Sequence, residues 1–247
     1  MIFNQEFLDK LKSAKRLVFF TGAGISAESG IATFRGKDGI WNKMKPEELA
    51  NFNAFLQNPD LVWEWYQHRR EIVHNTQPNP GHFAIAGLEK YYDVTVVTQN
   101  IDNLHRRAGS KKIYELHGNI ERNFCIDCKQ YYDLSNLEKT EGVPHCKKCG
   151  GLIRPDVVWF GEFLPQDELS GGETSAKQSD ICFVAGTSAV VYPAAYIPMN
   201  AKRAGSYIVE INIEPTDMSN YADYSIFGKS GEIIPLILKE AEKLKSA

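Results

Sequence analysis

No stretch of the sequence approaches the roughly 18 uninterrupted apolar residues of a membrane span, which leaves no candidate transmembrane helix. Its opening, MIFNQEFLDKLKSAKR, carries acids and amphipathic spacing where a secretory signal would carry an uncharged apolar core. Excess charge of either sign is also missing. With 28 Lys and Arg against 31 Asp and Glu, the net charge is -3, which argues against a dominant electrostatic attraction to nucleic acid or anionic membranes and leaves only local basic patches open. Cysteine is scarce and odd in number, five in 247 residues, and four of the five fall into two tight pairs. A metal in a reducing compartment explains that pattern better than a disulfide framework. Internal repeats and low-complexity tracts are lacking too. These absences lead us to expect a cytoplasmic protein with no direct nucleic-acid or membrane partner; its oligomeric state stays open, a monomer being favoured. Its 43% hydrophobic residues supply a full core.

Phe3, Phe7, Leu8 and Leu11 are spaced like one face of a helix over residues 3 to 14. Short apolar runs rich in β-branched residues follow at Leu17 to Phe20, Val94 to Val97, Ile181 to Ala185 and Tyr207 to Ile211. They are too short for helices and read as strands buried on both faces of a parallel sheet. Cys182, inside the third run, reads as a small buried hydrophobe. Helical patterns at 80 to 90, about 193 to 204, and 231 to 245 separate the strands, so the expected fold is α/β, a Rossmann-like doubly wound parallel sheet. Two stretches break the alternation. Residues 36 to 78 are helical in pattern but long for a crossover, and residues 118 to 156 hold the paired cysteines among turn formers. We expect these insertions to form a smaller zinc-ribbon plus helical domain. Residues 1 to 35, 79 to 117 and 157 to 247 then form the nucleotide-binding domain.

After the first strand, Gly22-Ala23-Gly24-Ile25-Ser26-Ala27 matches G-x-G-x-x-G/A. Glycines there let amide N–H groups close on a pyrophosphate at a helix N-terminus. A glycine turn that merely ends a strand stays an open reading. No acidic residue at the end of a second strand stands about 20 positions on to hold a ribose, which weighs against an ordinary hydride-transferring dehydrogenase. Cys125-x-x-Cys128 and Cys146-x-x-Cys149, with 17 residues between them, have the spacing of a four-thiolate zinc ribbon. Four thiolates leave no coordination position for water or substrate, so one structural zinc ion is expected; His145 is not needed as a ligand, and a redox dithiol is the competing reading.

Taken in order, Gly22-Ala23-Gly24-Ile25-Ser26, Thr33-Phe34-Arg35-Gly36, Thr98-Gln99-Asn100-Ile101-Asp102, Leu116-His117-Gly118-Asn119, the four cysteines and Trp159-Phe160-Gly161-Glu162 resemble the sirtuin family, from about residue 15 to about residue 235. Ala32 departs from the proline often found before Thr33. From its position alone His117 stays open between a structural imidazole and a general base at a junction of two domains. The resemblance implies the second role. It implies an NAD-dependent deacylase that converts acylated protein lysines to free lysine, nicotinamide and acyl-ADP-ribose, His117 taking a proton from a ribose hydroxyl. It assigns Asn100 and Asp102 to the nicotinamide ribose and carboxamide, Phe34 to shielding the reactive face, and Arg35 to a cofactor contact. Gly22, Ala23, Gly24, Ser26, Ala27, Gln99, Ile101, Gly186, Thr187, Ser188, Asn212, Ile213, Glu214 and Ser230 complete the expected NAD contacts. Val158, Phe160, Gly161 and Glu162 resemble the segment that pairs with the substrate peptide.

Val62, Tyr66, Arg69 and Val73 share a helical stripe, and on periodicity alone Arg69 would snorkel to solvent or meet an acid. Tyr66-x-x-Arg69 resembles, however, the sirtuin subgroup that removes succinyl, malonyl or glutaryl groups, with Ala50 as the small residue widening the pocket. The expectation is therefore a preference for acyl groups ending in a carboxylate, with deacetylation as a second activity. Alternatives are an NAD-dependent protein ADP-ribosyltransferase, or a zinc-ribbon binding module without enzymatic activity. The latter leaves the glycine turn, Gln99 to Asp102 and His117 without a purpose.

Overall fold

The computed structural model describes residues 3–33, 45–133, 137 and 141–246. Phe34 and Arg35, expected at the cofactor, lie outside the described residues, as does Gly36 of the same motif. The described helices are α1 (Gln5–Ser13), α2 (Ala23–Ala27), α3 (Pro46–Leu49), α4 (Phe52–Gln57), α5 (Pro59–Asn75), α6 (Pro80–Leu88), α7 (Leu104–Arg107), α8 (Gln166–Lys177), α9 (Tyr196–Arg203) and α10 (Ser230–Ser246). The strands are β1 (Arg16–Thr21), β2 (Asp93–Thr98), β3 (Ile113–Glu115), β4 (Gly118–Cys125), β5 (Tyr131–Asp133), β6 (Ile153–Val157), β7 (Ile181–Ala185), β8 (Tyr207–Asn212) and β9 (Tyr224–Phe227). No described helix is long and apolar enough to cross a membrane.

Six strands form one sheet in the order β3-β2-β1-β7-β8-β9, every pairing parallel. The apolar runs are buried along almost their whole length because helices cover both faces. Alternate residues serve opposite faces: Phe19, Val96, Phe183 and Val209 pack with Phe7, Leu11, Ile85 and Ile234 of α1, α6 and α10. Val18, Phe20, Val184 and Ile208 pack with Ala176, Ile197 and Ala201 of α8 and α9. Phe19 and Phe183 stack with ring centroids 4.5 Å apart. Cys182 is fully buried in the second layer. Strand order reverses between β1 and β7, and at such a switch point the turns leaving neighbouring strands diverge and open a crevice.

Residues 118 to 156 hold more order than their turn formers imply. β4, β5 and β6 form a second, antiparallel sheet in the order β5-β4-β6. Its strands are too polar for an apolar run to announce them: Arg122 of β4 pairs with Glu115 at 2.8 Å and Asp156 at 2.9 Å, while Arg70 of α5 donates to the Ile120 carbonyl at 2.6 Å. The buried side of this sheet meets α4 and α5, with Phe55, Val62, Tyr66 and Val73 against Ile120, Val157 and Trp159. Asn58 caps α5 by accepting from the Leu61 amide, and Pro59 takes a first-turn position where no N–H is needed.

Helix α8 escapes the sequence pattern because its Gly171-Gly172 pair reads as a turn. Those glycines instead let the helix lie close to the sheet: a Cβ on Gly171 would sit 2.3 Å from the Tyr114 ring. The switch point has the same logic. Gly24 donates to the Gly186 carbonyl at 2.7 Å, and a Cβ on Gly24 would lie 2.7 Å from Gly186 Cα. Gly186 has φ +61°, a left-handed conformation that favours glycine. We expect Gly24→Ala to force the two turns apart at a cost of about 1–3 kcal/mol. Urea unfolding should show a lowered midpoint with an unchanged m-value; an unaltered midpoint would show that the contact is not tight.

Candidate active site

The carboxyl ends of β1, β2, β7 and β8 open onto a cavity of about 930 Å³. Its floor is the turn after β1, with Gly22, Ala23, Gly24 and Ala27, facing the turn after β7, with Gly186, Thr187 and Ser188. Asn212, Ile213 and Glu214 after β8, and Ser230 at the start of α10, close one end. One sequence expectation needs correction here. The Gly22 and Gly24 amides do not point into the cavity but donate to the Ala185 and Gly186 carbonyls, at 3.1 and 2.7 Å. The glycines are required first by the approach of two backbones.

Gln99, Asn100 and Ile101, leaving β2, line the middle of the cavity together with His117. His117 Nδ1 lies 2.9 Å from the Gln99 carbonyl oxygen. A carbonyl only accepts, so Nδ1 carries the proton and Nε2 keeps its lone pair. Burial pushes the His117 pKa below the ordinary imidazole value against the opposing pull of that hydrogen bond, so the ring is the neutral base at neutral pH. Gln99 is itself held, its amide donating to Thr187 Oγ1 at 2.9 Å.

Ser26 and Asp102 do not reach the cavity wall; they form a layer behind it. Ser26 Oγ donates to Asp102 Oδ2 at 2.6 Å, the Leu104 amide donates to Asp102 Oδ1 at 3.0 Å, and Asn100 Nδ2 donates to the Gly22 carbonyl at 2.9 Å and to Ser26 Oγ at 3.2 Å. Burial raises the Asp102 pKa, opposed by these hydrogen bonds and by Arg69 and Arg107. Two histidines without a distinguishing sequence pattern join this layer. His82 Nδ1 accepts from the Asn79 amide, which leaves Nε2 as donor toward Ser26 Oγ at 3.5 Å, and His105 Nε2 meets Thr21 Oγ1 at 3.0 Å. Desolvation holds His82 down to about 4 and His105 well below the ordinary value. The Asn-Pro-Gly-His capping box is the one available signal for His82.

The far end of the cavity is aromatic. Ala50, Trp65, Tyr66 and Arg69 face Val158, Trp159, Phe160, Gly161 and Glu162. Arg69 is buried and stacks against Trp65, 5.2 Å from the ring centroid. Tyr66 and Trp159 are both buried, and Trp159 Nε1 donates to Tyr66 Oη at 2.8 Å. The Glu162 carboxylate is committed to the protein: it takes two hydrogen bonds from buried Arg154, at 2.5 and 2.9 Å, and one from the Trp159 amide at 2.8 Å. The same guanidinium lies 3.2 Å from the Trp159 ring centroid. Phe160 donates its amide to the Ala50 carbonyl at 2.9 Å and Val158 donates to the His117 carbonyl at 2.9 Å, so this segment is fixed along one edge.

The sulfurs of Cys125, Cys128, Cys146 and Cys149 all lie within 4.8 Å of one another, and the 3.5 Å contacts, Cys125 with Cys149 and Cys128 with Cys146, join different pairs. A tetrahedron with Zn–S bonds of about 2.3 Å has edges of roughly 3.8 Å, so this donor set fits a structural zinc ion and gives no support to an isolated dithiol. His145 turns away, its Nδ1 lying 2.9 Å from the Gly150 carbonyl oxygen.

A model of the Sir2 family matches residues 22–193. An NAD-dependent protein deacylase 2 of Pyrobaculum aerophilum is 52% identical over 236 residues, covering 95% of this chain and 94% of its own length. A crystal structure of a Sir2 homolog–NAD complex superposes with a TM-score of 0.91 at 46% identity, covering 97% of this chain and 94% of that one. A Sir2–p53 peptide–NAD+ structure gives a TM-score of 0.86 at 35% identity, covering 97% and 98%.

Because His82, His105 and His117 all have folded pKa values below the ordinary one, the unfolded chain binds more protons between pH 6.5 and about 4. Their contribution to stability is present above pH 6.5 and is lost as pH falls, at about 1.4 kcal/mol per pH unit for each group that must charge on unfolding. The raised Asp102 pKa works in the opposite direction but is one group against three. Denaturant midpoints should therefore fall from pH 7 to pH 5; a flat profile would show that these imidazoles are not held neutral.

Proposed function

The chain belongs to the Sir2 family, and we propose that it works as an NAD-dependent protein-lysine deacylase whose preferred acyl groups end in a carboxylate. One observation carries this reading: a single cavity joins the glycine turns of the parallel sheet, the neutral His117 imidazole, and an aromatic-walled pocket holding the buried Arg69. The donor set fits a dinucleotide. Ala23, Ala27, Thr187 and Ser188 stand at the phosphate floor, Asn212, Glu214 and Ser230 at the adenosine end, and Gln99, Asn100 and Ile101 beside the reacting ribose. Bound there, NAD supplies an electrophilic ribose carbon and nicotinamide as leaving group. His117 Nε2 accepts the proton of a ribose hydroxyl, with Gln99 fixing the tautomer. Ser26 and Asp102 act through Asn100, keeping its amide aligned.

The acylated lysine of a protein substrate enters along Val158 to Gly161. The amides of Val158 and Phe160 are used inward, so a substrate strand pairs with the opposite edge. The Trp65, Tyr66 and Trp159 rings make an apolar pocket in which the Arg69 guanidinium has lost much of its water, and a substrate carboxylate brings a full negative charge to it. Such a charge-assisted contact contributes about 1.5–3 kcal/mol. Arg69→Met should lower kcat/KM for a succinyl-lysine peptide roughly 10- to 150-fold and leave an acetyl-lysine peptide nearly unchanged. Equal losses on both peptides would remove the carboxylate clamp. Nicotinamide release should require the acylated peptide and vanish in His117→Tyr; release without the peptide would overturn the deacylase assignment.

A further inference from the structure

Trp159 lies in the cavity wall, yet its indole nitrogen is engaged by Tyr66. Indole N–H is a donor only, so the direction of this 2.8 Å bond is fixed: Trp159 donates and the phenol oxygen accepts. The phenol proton is left for another acceptor, and among the described residues Tyr66 Oη donates to none. Burial raises the Tyr66 pKa to about 12, so that proton stays in place at neutral pH. A hydroxyl that accepts a hydrogen bond is polarised toward giving a stronger one.

We propose that Trp159 is a positioning residue for acyl recognition: its indole N–H holds the Tyr66 hydroxyl so that the phenol proton is presented, beside Arg69, to the terminal carboxylate of the acyl chain. The proposal rests on the carboxyl-acyl reading of the pocket. Trp159 is suited to the role because it cannot drift. Its amide is tied to Glu162, the Arg154 guanidinium lies against its ring, and Phe55 packs on it at a centroid distance of 5.3 Å. Trp65 meets Tyr66 edge-on at 4.6 Å, so the phenol ring is braced by two indoles while one of them also sets its hydroxyl. An acetyl group has no terminal carboxylate to meet that proton. Loss of the indole N–H should therefore separate the two substrates, which a loss of packing alone would not do.

The test compares Trp159→Phe, Tyr66→Phe, the double variant and Arg69→Met on matched succinyl- and acetyl-lysine peptides. Trp159→Phe should lower kcat/KM for the succinyl peptide, mainly through KM, roughly three- to tenfold more than it lowers that for the acetyl peptide. The double variant should be no worse than Tyr66→Phe, because Trp159 acts through that hydroxyl. Equal losses on both peptides, or full additivity in the double variant, would overturn the proposal. If Arg69→Met discriminates between the peptides and Trp159→Phe does not, the proposal fails while the carboxylate clamp stands; if Arg69→Met does not discriminate, the clamp itself fails. Should Trp159→Phe fold poorly, benzothienylalanine in place of Trp159 keeps the ring volume and removes only the N–H. Retained succinyl preference with that side chain overturns the proposal, and a reduced preference supports it.

Discussion

The whole arrangement hangs on the contact between two turns, where the Gly24 amide meets the Gly186 carbonyl at 2.7 Å. Neither side can carry a Cβ: on Gly24 it would fall 2.7 Å from Gly186, and on Gly186 it would fall 2.3 Å from the Ile25 nitrogen. This close approach brings the ends of β1 and β7 together at the one place where strand order reverses. The cavity floor is therefore centred on two glycine backbones in contact, with the small side chains of Ala23, Ala27, Thr187 and Ser188 beside them. Asn79 strengthens the same corner by donating to the Ile25 carbonyl at 2.7 Å and to Ser29 Oγ at 3.0 Å.

Around that floor, loops lining the cavity are tied down by side chains, some buried behind the wall and some within it. Glu210, fully buried on β8, accepts from Thr216, Ser219 and Ser225 at 2.5, 2.6 and 2.9 Å, which fixes the loop beyond Glu214. Glu28 accepts from the Gly231 amide at 2.8 Å and anchors the start of α10 next to Ser230. Gln99 and Asn212 both bind Thr187. A buried carboxylate is costly unless its lone pairs are met, and those of Glu210 are met by hydroxyls with no net charge to bring in. Loops held in this way have little freedom to lose when a ligand arrives, so more of the contact energy remains as affinity.

How much of this is legible in the sequence follows from the kind of force involved. Buried parallel strands such as Ile181–Ala185 announce themselves because burial on both faces demands a continuous apolar run. Strand β4, reading Gly-Asn-Ile-Glu-Arg-Asn-Phe-Cys, does not, because ion pairs and hydrogen bonds from Arg122 and Arg70 support it instead. The cysteine spacing suffices to foresee the four-sulfur cluster, since the metal needs only two short knuckles. By contrast, Ser26 and Asp102 fall among the expected cofactor contacts because motif order places them beside residues that do line the cavity, and only geometry separates a wall from the layer behind it. His105 and the indole nitrogen of Trp159 carry no local signal of their partners, for Thr21 and Tyr66 are 84 and 93 positions away.

The pocket around Arg69 shows how a buried cation keeps its charge. Burial works against that charge, while the phenol oxygen of Tyr66 and the field of Asp102 favour it, so the guanidinium is held charged but poorly solvated. The Asp102 carboxylate meanwhile serves the layer behind the cavity wall, where Ser26 and the Leu104 amide both reach it at 3.0 Å or less. One carboxylate thus supports Arg69 by its field and aligns Asn100 through Ser26. The aromatic walls then do two things at once: Trp65 stabilises the guanidinium face by stacking, and the low dielectric strengthens its attraction for an arriving anion. On the proposed carboxyl-acyl reading, a neutral acyl chain would meet the same apolar rings without gaining from the charge, and the difference between the two is the selectivity such a pocket would generate.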